Sequence, residues 1–112
     1  MTDERPYFSV PRFDQISWLV HGFGTARWTE ADLAADPEFR RFHPVIMDQV
    51  HSAIVHRLET APSVKLAGDG LVTGTPGLLL VVRTADCLPV FLVDEARRLV
   101  GAVHCGWRGT KL

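Results

Sequence analysis

An α+β fold, mainly strands with a little helix, is predicted by three features of the sequence. Residues 78–82, 88–93 and 99–103 are continuous apolar runs bounded by turn residues. Residues 50–58 alternate Val50, Ser52, Ile54, His56 and Leu58 against His51, Ala53, Val55 and Arg57, the rhythm of a strand. Helix-start signals occur only in the N-terminal part of the chain.

Taken in order, residues 17–23 read as a strand ended by Gly22 and Gly24. Thr29, with Asp32 three residues on, stands in the place of a capping box and opens a short helix. Asp36-Pro37-Glu38 is a second start signal, with a cap, a proline at the first helical position and an acid in the first turn. Phe39, Phe42 and Ile46 follow as a helical apolar stripe that Pro44 interrupts. The strand at residues 50–58 comes next, and Asp69-Gly70 reads as a loop turn that could also contact a substrate. The three apolar runs then read as strands covered on both faces, the last two joined by a tight turn at Asp94-Glu95-Ala96-Arg97. No repeat, low-complexity tract or linker divides the chain.

Composition narrows the class. A chain of 112 residues is single-domain sized and could bury about two-thirds of its unfolded surface. Hydrophobic content of 46% and a formal charge of −1 describe an ordinary globular protein. Lys and Arg are scattered and balanced by acids, which argues against a nucleic-acid surface. No apolar run approaches the ~20 residues of a membrane span. The charged Met1-Thr2-Asp3-Glu4-Arg5 start has no apolar signal core after it, so two reduced thiols in a cytoplasm are expected.

Chemistry concentrates at the ends of the expected strands. In Val103-His104-Cys105-Gly106-Trp107-Arg108-Gly109-Thr110 an imidazole, an aromatic face and a guanidinium follow a strand directly, with Gly106 and Gly109 freeing the backbone. Thr84-Ala85-Asp86-Cys87-Leu88-Pro89-Val90, Asp69-Gly70-Leu71-Val72-Thr73 and Asp48-Gln49-Val50-His51 precede it. These four motifs, in this order, resemble the multicopper polyphenol oxidase or laccase-domain family, the YfiH type, over residues 48–110. Gly68 and Cys105 stand where that family usually has Ala. In the opening segment, Trp18 to Thr25, the expected Arg is replaced by Ala26, with Arg27 one place later.

The resemblance implies mixed β-sheets with flanking helices in a four-layer αββα arrangement. It also implies that residues 1–112 are the N-terminal portion of a single domain whose C-terminal half is absent. That half, or a homo-oligomer, would be needed to complete the fold. Its absence would leave sheet edges and an apolar face exposed.

His51, Cys87 and His104 are the catalytic and metal-ligand candidates. Two imidazoles and a thiolate suit zinc, with the fourth position open, and such a set also takes copper. Read without the resemblance they lack short ligand spacing, and each has a structural alternative: a small buried hydrophobe for Cys87, a hydrogen-bonded strand residue for each His. Asp86 could orient a ligand or substrate or simply end a strand. Arg108 could clamp phosphate bidentately or form a surface ion pair. Trp107 is expected to pack, and Cys105, facing away from His104, to be a core residue. His21 belongs to the family-like opening strand as a substrate contact, while His43 and His56 lie outside the motifs.

The family implies a zinc-dependent purine nucleoside phosphorylase acting on adenosine, inosine, guanosine and methylthioadenosine with phosphate, together with adenosine deaminase activity. The alternatives are copper-dependent polyphenol oxidation, a hydrolase with Cys87 as nucleophile, and an inactive fragment. Five His in the whole chain are too few for a multicopper cluster.

Overall fold

The computed structural model describes residues 7–25, 28–84 and 88–105, which form two compact units divided after Arg41. Asp86, Cys87, Trp107 and Arg108 lie outside the described residues. The architecture is α+β with mixed sheets, as the sequence predicts.

In the first unit, β1 (Tyr7–Phe8) pairs antiparallel with β2 (Phe23–Gly24). Between them lies α1 (Pro11–Asp14), a single turn with Pro at its start and no side-chain cap. The strand expected over residues 17–23 is therefore reduced to its end. Residues 17–18 are a turn, the Leu19 N–H returns to the Ile16 carbonyl at 3.1 Å, and only Phe23 and Gly24 find a ladder partner. Helix α2 (Glu30–Ala35) starts where expected. Its Thr29 hydroxyl accepts the Asp32 N–H while the Asp32 carboxylate accepts the Thr29 N–H, the reciprocal box. The donating Thr29 N–H first, and the Thr29 hydroxyl second, which donates to Asp32 Oδ2 at 3.0 Å, hold the Asp32 carboxyl below its usual range.

The second start signal gives a turn instead of a helix. Asp36 Oδ1 accepts the Glu38 and Phe39 N–H groups, but the chain straightens at His43 into a strand. Pro44 cannot donate along a helix and is tolerated in that two-stranded pairing. Phe39 is instead buried against Tyr7 and Trp28, with ring centroids 5.1 and 5.7 Å away. A Cβ at Gly22 would overlap the Tyr7 ring, so that close approach requires glycine.

In the second unit, β3 (His43–Ile46) lies parallel to β6 (Leu78–Val81). The larger sheet has the order β4 (Val55–Leu58), β5 (Gly70–Thr73), β8 (Leu99–Cys105), β7 (Leu88–Asp94), parallel at β4–β5 and antiparallel elsewhere. Two expectations change here. Residues 50–54 leave the strand expected over 50–58 to wrap the Asp69 carboxylate, and Gly70 begins a strand where a turn was expected. The three apolar runs are strands. Their hairpin turn is closed by the Arg97 N–H donating to Asp94 Oδ1, with Arg98 at φ 52°.

Register divides the faces of the larger sheet. Leu58, Leu71, Thr73, Ala102 and His104 share one face and are buried. Leu58 and Leu71 meet Val45 and Met47 there to form the core of this unit. On the opposite face Val55, Leu88 and Leu92 are more than half exposed, and Cys105 is half-buried. The two runs in this sheet, β7 and β8, are thus covered more on one side than on the other, and Cys105 is on the more open face instead of in the core.

Candidate functional site: a buried carboxylate between two histidines

Asp69, immediately before β5, is 2% exposed, and the site is built around it. Oδ1 accepts the Val50 N–H at 3.2 Å and both the N–H and the hydroxyl of Ser52 at 2.8 Å. Oδ2 lies 3.2 Å from the donating His51 N–H and 2.7 Å from His104 Nδ1. Burial by itself pushes the carboxyl up. The donors from Ser52, His104 and Val50 outweigh burial and hold it far below the ordinary carboxylate range.

The local sequence explains why three successive N–H groups converge. His51 adopts φ 57°, a left-handed conformation that turns the backbone into a concave cradle for an anion. Here the anion is the protein's own side chain. Strain of this kind persists only where its surroundings hold it, and it clusters at functional sites.

His104 comes to the same carboxylate from β8. Its N–H donates to the Asp69 carbonyl at 2.7 Å, so both backbone and ring are tied to one residue. The side chain is 4% exposed and its Nε2 has no hydrogen-bond partner among the described residues. The exposed His51 ring stands edge-on to it, with centroids 5.2 Å apart and planes at 64°.

Gln49 adds a link toward the next motif. Its side-chain amide donates to the Arg83 carbonyl at 2.6 Å and accepts the Arg83 N–H at 2.7 Å. Where β3 parts from β6 and Asp48 bridges to Ala67, this amide takes over the pairing of the main chain that enters Thr84.

The structure therefore brings His51 and His104 together. Cys87, Asp86 and Arg108 lie outside the described residues. His21 belongs to the first unit, where its Nε2 accepts the Val10 N–H at 2.8 Å; that bond occupies the lone pair of the nitrogen lying 3.9 Å from Asp14. His56 donates from Nε2 to the Ala67 carbonyl and is structural; His43 begins β3 and is exposed.

Sequence reasoning assigned Asp69 to a loop turn and missed its place at the centre. Two signals were available: Asp69 opens one of the four motifs, and it stands one glycine before the apolar Leu71-Val72, where a free carboxylate would be costly and a partnered one is expected.

For a metal, the chemistry of the described donors fits in part. One imidazole has Nδ1 committed to a carboxylate and Nε2 left over, as metal-ligating histidines usually do, and a second imidazole is beside it. Among the described residues no group of three His, Cys, Asp or Glu is placed to hold an ion. Also among the described residues, no helix is long and apolar enough to cross a membrane.

Comparison with known proteins bears on the same region. Residues 27–112 match the family model described as multi-copper polyphenol oxidoreductase laccase. A purine nucleoside phosphorylase of Deinococcus radiodurans is 48% identical over 65 residues, covering 57% of this chain and 24% of the relative. One of Pseudomonas aeruginosa is 34% identical over 97 residues, covering 87% of this chain and 39% of its own length. The chain thus spans a quarter to two-fifths of these relatives. Among solved structures, the hypothetical protein YfiH of Bacillus licheniformis superposes with a TM-score of 0.62 at 30% identity, covering 71% of this chain and 34% of that one.

Proposed function

The chain belongs to the multicopper polyphenol oxidoreductase laccase family, and from that premise we propose that it is part of a zinc-dependent purine nucleoside phosphorylase. The substrates would be adenosine, inosine, guanosine or methylthioadenosine with phosphate, and adenosine deamination would be a further activity. Support comes from relatives named purine nucleoside phosphorylase. The observation that carries the reading is the pair His51 and His104 gathered on Asp69, with one imidazole nitrogen fixed and the other left over.

His51, His104 and Cys87 would hold the zinc, which supplies Lewis acidity when bound. The remaining work falls to this chain's side chains. Arg108, whose guanidinium matches phosphate oxygens bidentately, would bind the attacking phosphate. Asp86, next to Cys87 in sequence, would orient a ligand or the substrate. In phosphorolysis the bond from the sugar carbon to the purine nitrogen breaks as a bond from that carbon to a phosphate oxygen forms. Positive charge grows on the sugar and negative charge on the purine, so fixed donors near the base lower the barrier.

The test is metal content of the purified chain by mass spectrometry beside Cys87→Ala, followed by release of hypoxanthine from inosine with and without phosphate. About one zinc per chain, lost in the variant, with phosphate-dependent release, is expected. Copper in place of zinc would favour phenol oxidation. A folded chain without metal that survives chelators and keeps a Cys87-dependent activity would favour the thiol hydrolase.

A further inference from the structure

We propose that Asp69 is a positioning residue that selects the tautomer of His104, keeping the proton on Nδ1 and the lone pair on Nε2. Oδ2 of Asp69 lies 2.7 Å from His104 Nδ1, and both groups are almost fully buried. A carboxylate surrounded by the N–H groups of Val50, His51 and Ser52 and by the Ser52 hydroxyl can only accept. The proton in the short bond therefore belongs to the imidazole, and in the neutral ring the other nitrogen must be bare. The backbone bond from the His104 N–H to the Asp69 carbonyl, 2.7 Å, fixes the approach of the ring from the main chain as well.

The same oxygen that takes His104 takes the His51 N–H. One carboxylate thus sets both the proton position of one imidazole and the left-handed turn that carries the other. The role deepens the preceding reading and rests on it only for the use made of Nε2. The tautomer is a property of this chain with or without metal.

Asp69→Asn makes the assignment testable, because an amide has one accepting and one donating end. Three donors face Oδ1, whereas Oδ2 faces one N–H and a ring that can exchange its proton. The amide oxygen is therefore held at the Oδ1 position and its NH2 turned to His104, whose Nδ1 must then accept.

The measurement is nitrogen NMR of histidine-labelled full chain at about pH 8, above the ordinary imidazole range, with His104 identified by its loss in His104→Gln. In the parent chain the Nδ1–H form of His104 is expected, and in D69N the Nε2–H form. Ser52→Ala, which removes a donor from Oδ1 and leaves Oδ2 alone, is expected to keep Nδ1–H, so loosening of the turn is separated from loss of the acceptor. A parent chain with the proton on Nε2 overturns the proposal even if D69N fails to fold; a folded D69N that keeps Nδ1–H overturns it too. Titration with Zn2+ alone reads the consequence: D69N is expected to bind about 10–100-fold more weakly than the parent. If the parent binds no zinc, the zinc reading fails while the tautomer result stands.

Discussion

Asp69 shows why a buried charge can be retained at a strand end. Alone it would cost several kcal/mol or take up a proton, but it is given the N–H groups of Val50, His51 and Ser52, the Ser52 hydroxyl and the His104 ring. Its carboxyl is held below the unfolded value of about 3.9, so the folded chain binds fewer protons than the unfolded chain between the two values. The stability it confers is therefore complete above about pH 5 and is lost as pH falls through ~4 and below. Denaturant titrations at stepped pH should show that decline in the parent chain and a flatter acid limb in Asp69→Asn. A parent whose acid limb matches that of the variant would contradict the role given to this carboxylate. The histidines on either side were legible as candidates from their motifs; Asp69 opens a motif too, but its role in organising them was not legible. Its partners come from residues 50–52 and 104, and a sequence does not state which loop will fold over which strand.

Among the elements, β6, β7 and β8 form over the contiguous apolar runs at residues 78–82, 88–93 and 99–103, with Asp94, His104 and Cys105 at strand ends beyond those runs. Apolar runs have no polar face that could drive them into another conformation. The alternating run at residues 50–58 kept only Val55–Leu58 as strand. Alternation is a local pattern, and the N–H groups of residues 50–52 found a stronger acceptor than a neighbouring strand. The register of β4 on β5 makes a further demand, since a Cβ at Gly70 would lie 2.8 Å from Val55 Cγ2. Gly70→Ala should destabilise by about 1–3 kcal/mol through overpacking, and Val55→Ala in the same chain should recover much of that. Thermal melts of the two single variants and the double variant would measure this coupling. Strict additivity would refute the clash.

Across the whole molecule, the larger sheet is unevenly covered. One face meets the Val45, Met47, Leu58 and Leu71 core; the other leaves Val55 52%, Leu88 64% and Leu92 57% exposed. Leu88 and Leu92 lie on β7, an edge strand among the described residues, and share a face with Val55 through the paired register. An apolar face next to an unpaired edge promotes association. Leu92→Lys should therefore lower self-association in sedimentation experiments while changing stability by less than about 0.5 kcal/mol, as expected for an exposed site. Equal association of parent and variant would show that this face is not the adhesive one.

What the sequence by itself determined is the class of structure and the family. Both are carried by short contiguous signals: apolar runs, a capping box at Thr29 and Asp32, and four motifs in order. Each of these depends on residues within a few positions of one another, and local sterics and solvation act at that range. The tertiary structure alone decided that Pro44 sits in a strand, that residues 50–54 leave theirs, and that Asp69 joins His51 to His104. Those outcomes turn on partners 17 to 35 residues apart. A backbone donor goes to the strongest acceptor that folding brings within reach, and only the folded chain shows which one that is.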